Sequence, residues 1–389
     1  MNDHDSIFRF GRRDLLRGAA AIPLLGARAG ALAADAEPPA PGFVLRQSEP
    51  RNLESPFSSL ESFITPTDRF FVRSHFPVPK LDAATWSLAV DGAVATPFEI
   101  GLDELKRLPS RTLTAMIECA GNGRVFLTPR ANGLLWENGA VSNAEWTGVP
   151  LAAVLDRAGL KPGAVDVVLE GADKGRIDAD PKTPGVIQYA RSVPLAKALN
   201  DVVLVYKMNG KDLTQLHGAP VRALVPGWYG MASVKWLTRI LVTDRAFGGY
   251  FQTFDYSTFD RVQGQPTLVP LGENGLKSQI ARPARMEVVP RGKPYRVSGA
   301  AWAGEAGVAG VDLSVDGGKT WSKAELLGDP VKFAWRLWQW TWQVPDTPGK
   351  QTLMARATSD RGAVQPMTRD DDLRTVKIHH VIPVEVDVA

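Results

Sequence analysis

The chain has 389 residues, with 45 Lys and Arg against 42 Asp and Glu, and a formal net charge of +3. Its length exceeds one ordinary core and predicts two domains, and 44% hydrophobic with 22% charged residues is a soluble globular composition. The near-balanced, dispersed charge excludes a nucleic-acid-binding surface, no apolar run reaches membrane-spanning length, and the single cysteine excludes an internal disulfide.

The N-terminus reads as an export signal. Gly11-Arg12-Arg13-Asp14-Leu15-Leu16-Arg17 is a twin-arginine pattern, followed by a weakly apolar stretch and the small-x-small site Ala31-Leu32-Ala33. The expectation is a signal peptide over residues 1–33 and a periplasmic protein exported already folded, the route a protein needs when its cofactor is installed before export. The alternative is a basic amphipathic helix that stays on the chain. Residues 34–56, rich in Pro and Ala and without periodicity, predict an extended arm.

Residues 57–262 predict a mixed α/β domain. Alternation along Phe71, Arg73 and His75 places these three on one face of a strand, where an Arg, a His and an aromatic suit an anionic or heteroaromatic ligand. A strand pair is expected between Trp86 and Ile100, and helices at Leu102–Leu108, Leu151–Ala158 and Leu195–Leu199, where apolar residues recur at helical spacing. Further strands are expected at Val165–Glu170, Val202–Met208 and Ile240–Thr243. Between them, an apolar run from Leu113 to Ile117 delivers Cys119 into the small-residue turn Ala120-Gly121-Asn122-Gly123, which ends on Arg124. A lone thiol has three roles open to it: buried filler, nucleophile, or metal ligand. Buried filler is the commonest of these, a nucleophile would want a His and an Asn or Asp beside it, and zinc would want several ligands at short spacing, which the sequence lacks, so as a metal ligand the thiol would be the one thiolate on a metal whose other ligands belong to a cofactor.

Residues 263–284 read as a Pro/Gly-punctuated connection. From 285 to 389 helical patterns vanish, and short alternating runs separated by turns predict an immunoglobulin-like sandwich, with a hairpin turn at Asp316-Gly317-Gly318-Lys319. Its tryptophans, Trp302, Trp321, Trp335, Trp338, Trp340 and Trp342, read as core and interface residues. The fold class is therefore α+β: a mixed α/β domain followed by an all-β sandwich.

Cys119-Ala120-Gly121-Asn122-Gly123-Arg124 resembles the signature around the molybdenum-ligating cysteine of the sulfite oxidase family, with Gly123 in place of the usual Arg. Phe71-Val72-Arg73-Ser74-His75, the stretches His217–Arg222 and Ser233–Trp236, the pair Asp255-Tyr256, and Val315–Trp321 resemble that family's other motifs in the same order. The resemblance covers residues 57–389. It implies a molybdopterin-binding domain of the sulfite oxidase fold, a molybdenum–molybdopterin cofactor, and an immunoglobulin-like domain that makes a homodimer. It assigns Cys119 as the metal ligand. It assigns Arg73, Arg124, Tyr256 and Trp136 to the catalytic site, the arginines orienting a compact anion, Tyr256 donating to an oxygen and Trp136 walling the pocket. Arg73, His75, Asp173, His217, Arg222, Ser233 and Lys235 would hold the pterin and its phosphate. A further cation from the C-terminal domain falls in the Lys332–Arg336 neighbourhood, where Lys332, Arg336 or neither serves.

The implied activity is oxidation of sulfite to sulfate by oxo transfer. The sequence has no Cys-x-x-Cys-His, so no covalent haem is expected, and electrons would leave to a separate c-type cytochrome. Two other activities on the same cofactor stay open: a sulfane dehydrogenase subunit of a thiosulfate-oxidising system, and a sulfoxide reductase. The non-enzyme alternative is an exported two-domain binding protein.

Overall fold

The computed structural model describes residues 42–389. The signal peptide expected over 1–33, and the first part of the arm, lie outside the described residues. The rest of the arm is not plain extended chain. Val44–Gln47 and Asn52–Glu54 pair antiparallel, and the second strand is fully buried. The reason is local satisfaction of polar groups. The Glu54 carboxylate accepts the Gly139 and Glu137 N–H groups at 2.7 and 3.2 Å and pairs with Arg46. A Cβ on Gly139 would stand 1.8 Å from the Ser55 carbonyl oxygen, so this close crossing requires glycine.

The first domain has two five-stranded sheets. In one, Lys211–Asp212, Val203–Met208, Val141–Pro150 and Arg111–Glu118 lie side by side, with Arg222–Leu224 also on Val203–Met208. In the other the order is Phe98–Gly101, Ser87–Gly92, Leu237–Thr243, Asp166–Gly175 and Ile187–Pro194. Every pair in this second sheet is antiparallel except Leu237–Thr243 on Ser87–Gly92. The short helices are the expected ones. In Leu151–Ala158, Leu151, Val154, Leu155 and Ala158 are buried at one-turn spacing, and Gly159 stops the helix at φ +68°.

The C-terminal sandwich packs Lys277–Arg282, Pro294–Trp302, Arg336–Gln343 and Glu325–Leu326 against Val288–Val289, Val384–Val388, Gly349–Ser359, Val308–Ser314 and Ser322–Lys323. Trp338 and Trp342 fill its core with Leu353 and Val386. Trp302 and Trp335 instead join Phe57, Met116 and Val141 in a cluster at the joint between the domains. The stretch 263–284 is more than a connection. It carries Gln265–Pro270, which pairs with Ser257–Val262 as an exposed hairpin, and Lys277–Arg282, a strand of the sandwich. Pro266 and Pro270 lie within the first of these strands and Gly272 and Gly275 between the two, which masks their alternation.

Candidate active site

One cleft gathers nine of the expected residues: Arg73, His75, Cys119, Asp173, His217, Arg222, Ser233, Lys235 and Tyr256. They come from six separate segments, so the sheets and their loops decide the grouping.

Cys119 leaves the end of the Arg111–Glu118 strand. Its N–H donates to Ala140 O at 2.9 Å, and Asn122 N–H donates back to Cys119 O at 2.9 Å, closing the turn. Gly123 follows at φ +96°, a left-handed conformation, with Ile378 and Ile382 packed against it. That geometry explains glycine here. Burial pushes the Cys119 thiol up, while the charges of Arg73 and Arg124 pull it back toward the thiolate.

The stretch 70–76 is not a sheet strand. It is held at one bridge, with Leu53 and Val72 exchanging N–H···O bonds of 2.9 Å, and by Asn52, whose side chain both accepts from Ser74 N (2.7 Å) and donates to Ser74 O (3.2 Å). Phe70 through His75 therefore all border the cleft, instead of every second residue. His75 Nε2 lies 2.6 Å from the Tyr256 hydroxyl and its ring stacks on Tyr189 at 4.5 Å. Burial, then the charges of Arg73, Lys235, Arg124 and Arg191, hold His75 well below the ordinary histidine range, so the ring is neutral.

The opposite end is cationic. The Arg222 guanidinium donates to His217 O and Ser233 O at 3.1 and 2.8 Å and stacks over Trp146; burial lowers its pKa to about 9. Lys235 Nζ donates to Ser74 Oγ and Leu216 O, both at 2.9 Å, and is lowered by burial and by Arg222. Burial raises Asp173 to about 6 against the pull of Lys235, and one of its carboxylate oxygens is buried with no partner among the described residues. Ser233 Oγ accepts from Val225 N at 3.0 Å. His217 Nε2 meets Thr67 O at 3.2 Å, and burial lowers this histidine to about 3.

Two expected residues stand outside the cleft. Trp136 is wholly buried and packs edge-on against Phe71 at 6.5 Å, so Phe71 borders the cleft and Trp136 lies behind it. Arg124 does not reach the lining either. Its Nε donates to Thr375 O (2.9 Å) and Nη1 to Leu134 O (3.1 Å), and its guanidinium fits only because Gly121 and Gly133 lack a Cβ. Its charge still acts on Cys119, His75 and Tyr256. Neither Lys332 nor Arg336 borders the cleft: Lys332 is exposed, 3.8 Å from Asp201, and Arg336 opens a sandwich strand opposite Ala301.

Arg374, also from the C-terminal domain and also outside the cleft lining, braces the loop that carries Tyr256. Its guanidinium donates to Phe254 O, Ser257 O and Ser257 Oγ at 3.0, 3.1 and 2.7 Å, flanking Tyr256. Arg369 pins that turn by donating to the carbonyls of Arg374, Val376 and Lys377 at 2.7–2.8 Å, and Lys377 N–H donates to Ala120 O at 2.8 Å. Arg191 is the other residue the motifs missed. Fully buried, it donates to Phe251 O and Leu271 O, both at 2.6 Å, and holds the loop that carries Tyr256. Alternation with Tyr189 and Val193, both buried, was the one signal that it points inward.

The donor set fits a pterin-held metal. Among the described residues no group of three or more His, Cys, Asp or Glu could hold an ion, so Cys119 would be the protein's single soft ligand. The unpartnered Asp173 oxygen is a free acceptor for a heterocycle N–H. Arg222 and Lys235 spend their hydrogen bonds on carbonyls and a hydroxyl, which leaves their charge available to a phosphate.

Comparison with known proteins follows the same division of the chain. Residues 75–251 match the oxidoreductase molybdopterin binding domain, and residues 272–386 match the Mo-co oxidoreductase dimerisation domain. The chain is 38% identical to mitochondrial sulfite oxidase of Mus musculus over 347 residues, covering 84% of this chain and 62% of that protein. It is 37% identical to sulfite oxidase of Gallus gallus, covering 84% and 73%. The sulfane dehydrogenase SoxCD of Paracoccus pantotrophus shares the fold with a TM-score of 0.75 and 30% identity, covering 86% of this chain and 83% of that one.

Proposed function

This chain belongs to the sulfite oxidase family and binds a molybdenum–molybdopterin cofactor, and on that premise we propose that it oxidises sulfite to sulfate in the periplasm and passes the electrons to a separate c-type cytochrome. The observation that carries the reading is the composition of the cleft: one thiol, no group of three or more metal-binding side chains among the described residues, and cations at both ends.

When bound, the cofactor supplies two-electron oxygen-atom transfer. The residues would do the rest. Cys119 would ligate the metal through Sγ, in the thiolate form that Arg73 and Arg124 favour. Arg222 and Lys235 would neutralise the phosphate, and Asp173 would accept from the pterin. Arg73 is half-buried beside Tyr256 and Cys119, so an anion drawn into the cleft meets a fixed positive charge. Tyr256 keeps its proton, because burial raises its pKa, and can therefore donate to an oxyanion; neutral His75 stands ready to accept from it. Arg374 and Arg191 fix the backbone on either side of Tyr256, which limits its travel.

Oxidation of sulfane sulfur is the second reading, supported by the fold shared with the sulfane dehydrogenase SoxCD. The test is metal analysis and turnover on protein from a molybdenum-replete host, with sulfite as donor and ferricyanide or cytochrome c as acceptor. About one molybdenum per chain with sulfite-dependent reduction is the expected result, with Cys119→Ser folded but inactive. Molybdenum without sulfite turnover would transfer the reading to sulfane sulfur. Full activity in Cys119→Ser would overturn the ligand assignment.

A further inference from the structure

The residue before the thiol, Glu118, has a buried charge that the proposed chemistry does not use. Glu118 and Lys277 are each 1% exposed and pair at 3.0 Å across the joint between the domains. Successive residues of a strand point to opposite faces, so Cys119 opens toward the cleft while Glu118 turns to the sandwich.

The carboxylate is fully satisfied. Oε1 accepts from Lys277 Nζ and from Asn122 Nδ2 (3.1 Å); Oε2 accepts from Trp302 Nε1 (2.9 Å) and Asn274 Nδ2 (3.2 Å). Three of the four donors come from the C-terminal side of the chain. Lys277 Nζ also donates to Asn122 O at 3.1 Å, and Asn122 N–H closes the turn on Cys119 O. The ammonium thus touches both ends of the thiol-bearing turn.

We propose that the Glu118–Lys277 pair is a positioning device through which the sandwich fixes the Cys119 turn for metal ligation. The sandwich then completes the active site from outside it, beyond its match to a dimerisation domain. Breaking a buried pair by removing one partner leaves an unpaired charge, whereas neutralising both partners relieves it. Glu118→Gln strands the Lys277 ammonium. Lys277→Met strands the carboxylate. The double variant strands neither, and the new amide at position 118 keeps an acceptor for Trp302. The effects of the two changes are therefore non-additive.

The proposal rests on Cys119 as metal ligand, and its test has a readout that does not. Cys119 is the chain's single thiol, so alkylation by iodoacetamide reports on this turn alone. The full-length cofactor-free chain would be compared as wild type, Glu118→Gln, Lys277→Met and the double variant. Each single change is expected to speed alkylation roughly tenfold, and the double variant to return to within about twofold of wild type. Molybdenum content and the sulfur-to-metal charge-transfer band of the loaded protein would follow the same order. Unchanged thiol reactivity in the single variants, or additive effects in the double, would overturn the proposal. If a single variant does not fold, a folded double variant with wild-type reactivity still supports it, and a folded double variant with altered reactivity overturns it. A wild type that takes up no molybdenum would overturn the functional reading, while the alkylation pattern would still decide whether the pair holds the turn.

Discussion

His217 shows what a single side chain contributes and what it costs. It is buried against Phe70 and Thr67, between the charges of Lys235 and Arg222, and burial lowers it to about 3. The unfolded chain takes up this proton near 6.5, so below that pH the unfolded state binds more protons than the folded one. Stability from this group is therefore complete above about 6.5 and is lost as pH falls toward 3. The loss is about 1.4 kcal/mol per pH unit over that window. His217→Gln, which keeps a donor for Thr67 O, should flatten this part of the profile. Urea midpoints of wild type and variant at pH 7 and pH 5 would check it, and an identical fall in both would assign the acid sensitivity elsewhere.

At the scale of elements, the segment Asp370–Ile378 acts as a strap. Thr375 O receives Arg124, Lys377 N–H reaches the Cys119 turn, Arg374 reaches the Tyr256 loop, and Asp372 takes a two-bond fork from Arg261 of the exposed hairpin at 2.6–2.7 Å. One backbone segment thus sets the spacing between the thiol side and the tyrosine side of the cleft. Arg369 holds the strap in shape from within. Arg369→Met should loosen both walls together. On the proposed activity, the KM for sulfite should rise about tenfold while kcat changes less, because anion orientation is lost before metal ligation. Steady-state kinetics would check this; a fall in kcat at unchanged KM would point to the cofactor instead. The Lys332–Arg336 neighbourhood lies away from this strap: Arg336 opens a sandwich strand, and the arginine that flanks Tyr256 comes from the turn after the next strand.

For the whole molecule, the C-terminal domain has two faces of work. Trp302 and Trp335 bury it against the catalytic domain, and the match to a dimerisation domain gives it a second partner surface. We expect a homodimer in solution, with light scattering giving twice the mass of the chain. A mass of one chain at micromolar concentration would overturn that expectation. Among the described residues no helix is long and apolar enough to cross a membrane.

What the sequence determined by itself was local. Periodicity of 3.6 or 2 marks helices and strands wherever one face is buried, so Leu151–Ala158, Val203–Met208 and the sandwich runs were legible without coordinates. Short motifs marked Cys119, His75, Arg222 and Lys235, the family resemblance added Asp173, and the fold brings these into one cleft. Tertiary structure decided everything that depends on approach across the chain. Trp136 was assigned by resemblance and Arg124 belongs to a recognisable motif, yet Phe71 stands at the cleft in front of one, and the carbonyls of Leu134 and Thr375 hold the other. Arg191, Arg374 and the Glu118–Lys277 pair carry no motif. Each acts by meeting a backbone carbonyl or a charge from a distant segment, 159 residues away for Lys277 and Glu118. A sequence records which side chains can donate and accept. Burial selects the partner, because a buried charge or N–H must find one wherever in the chain it lies.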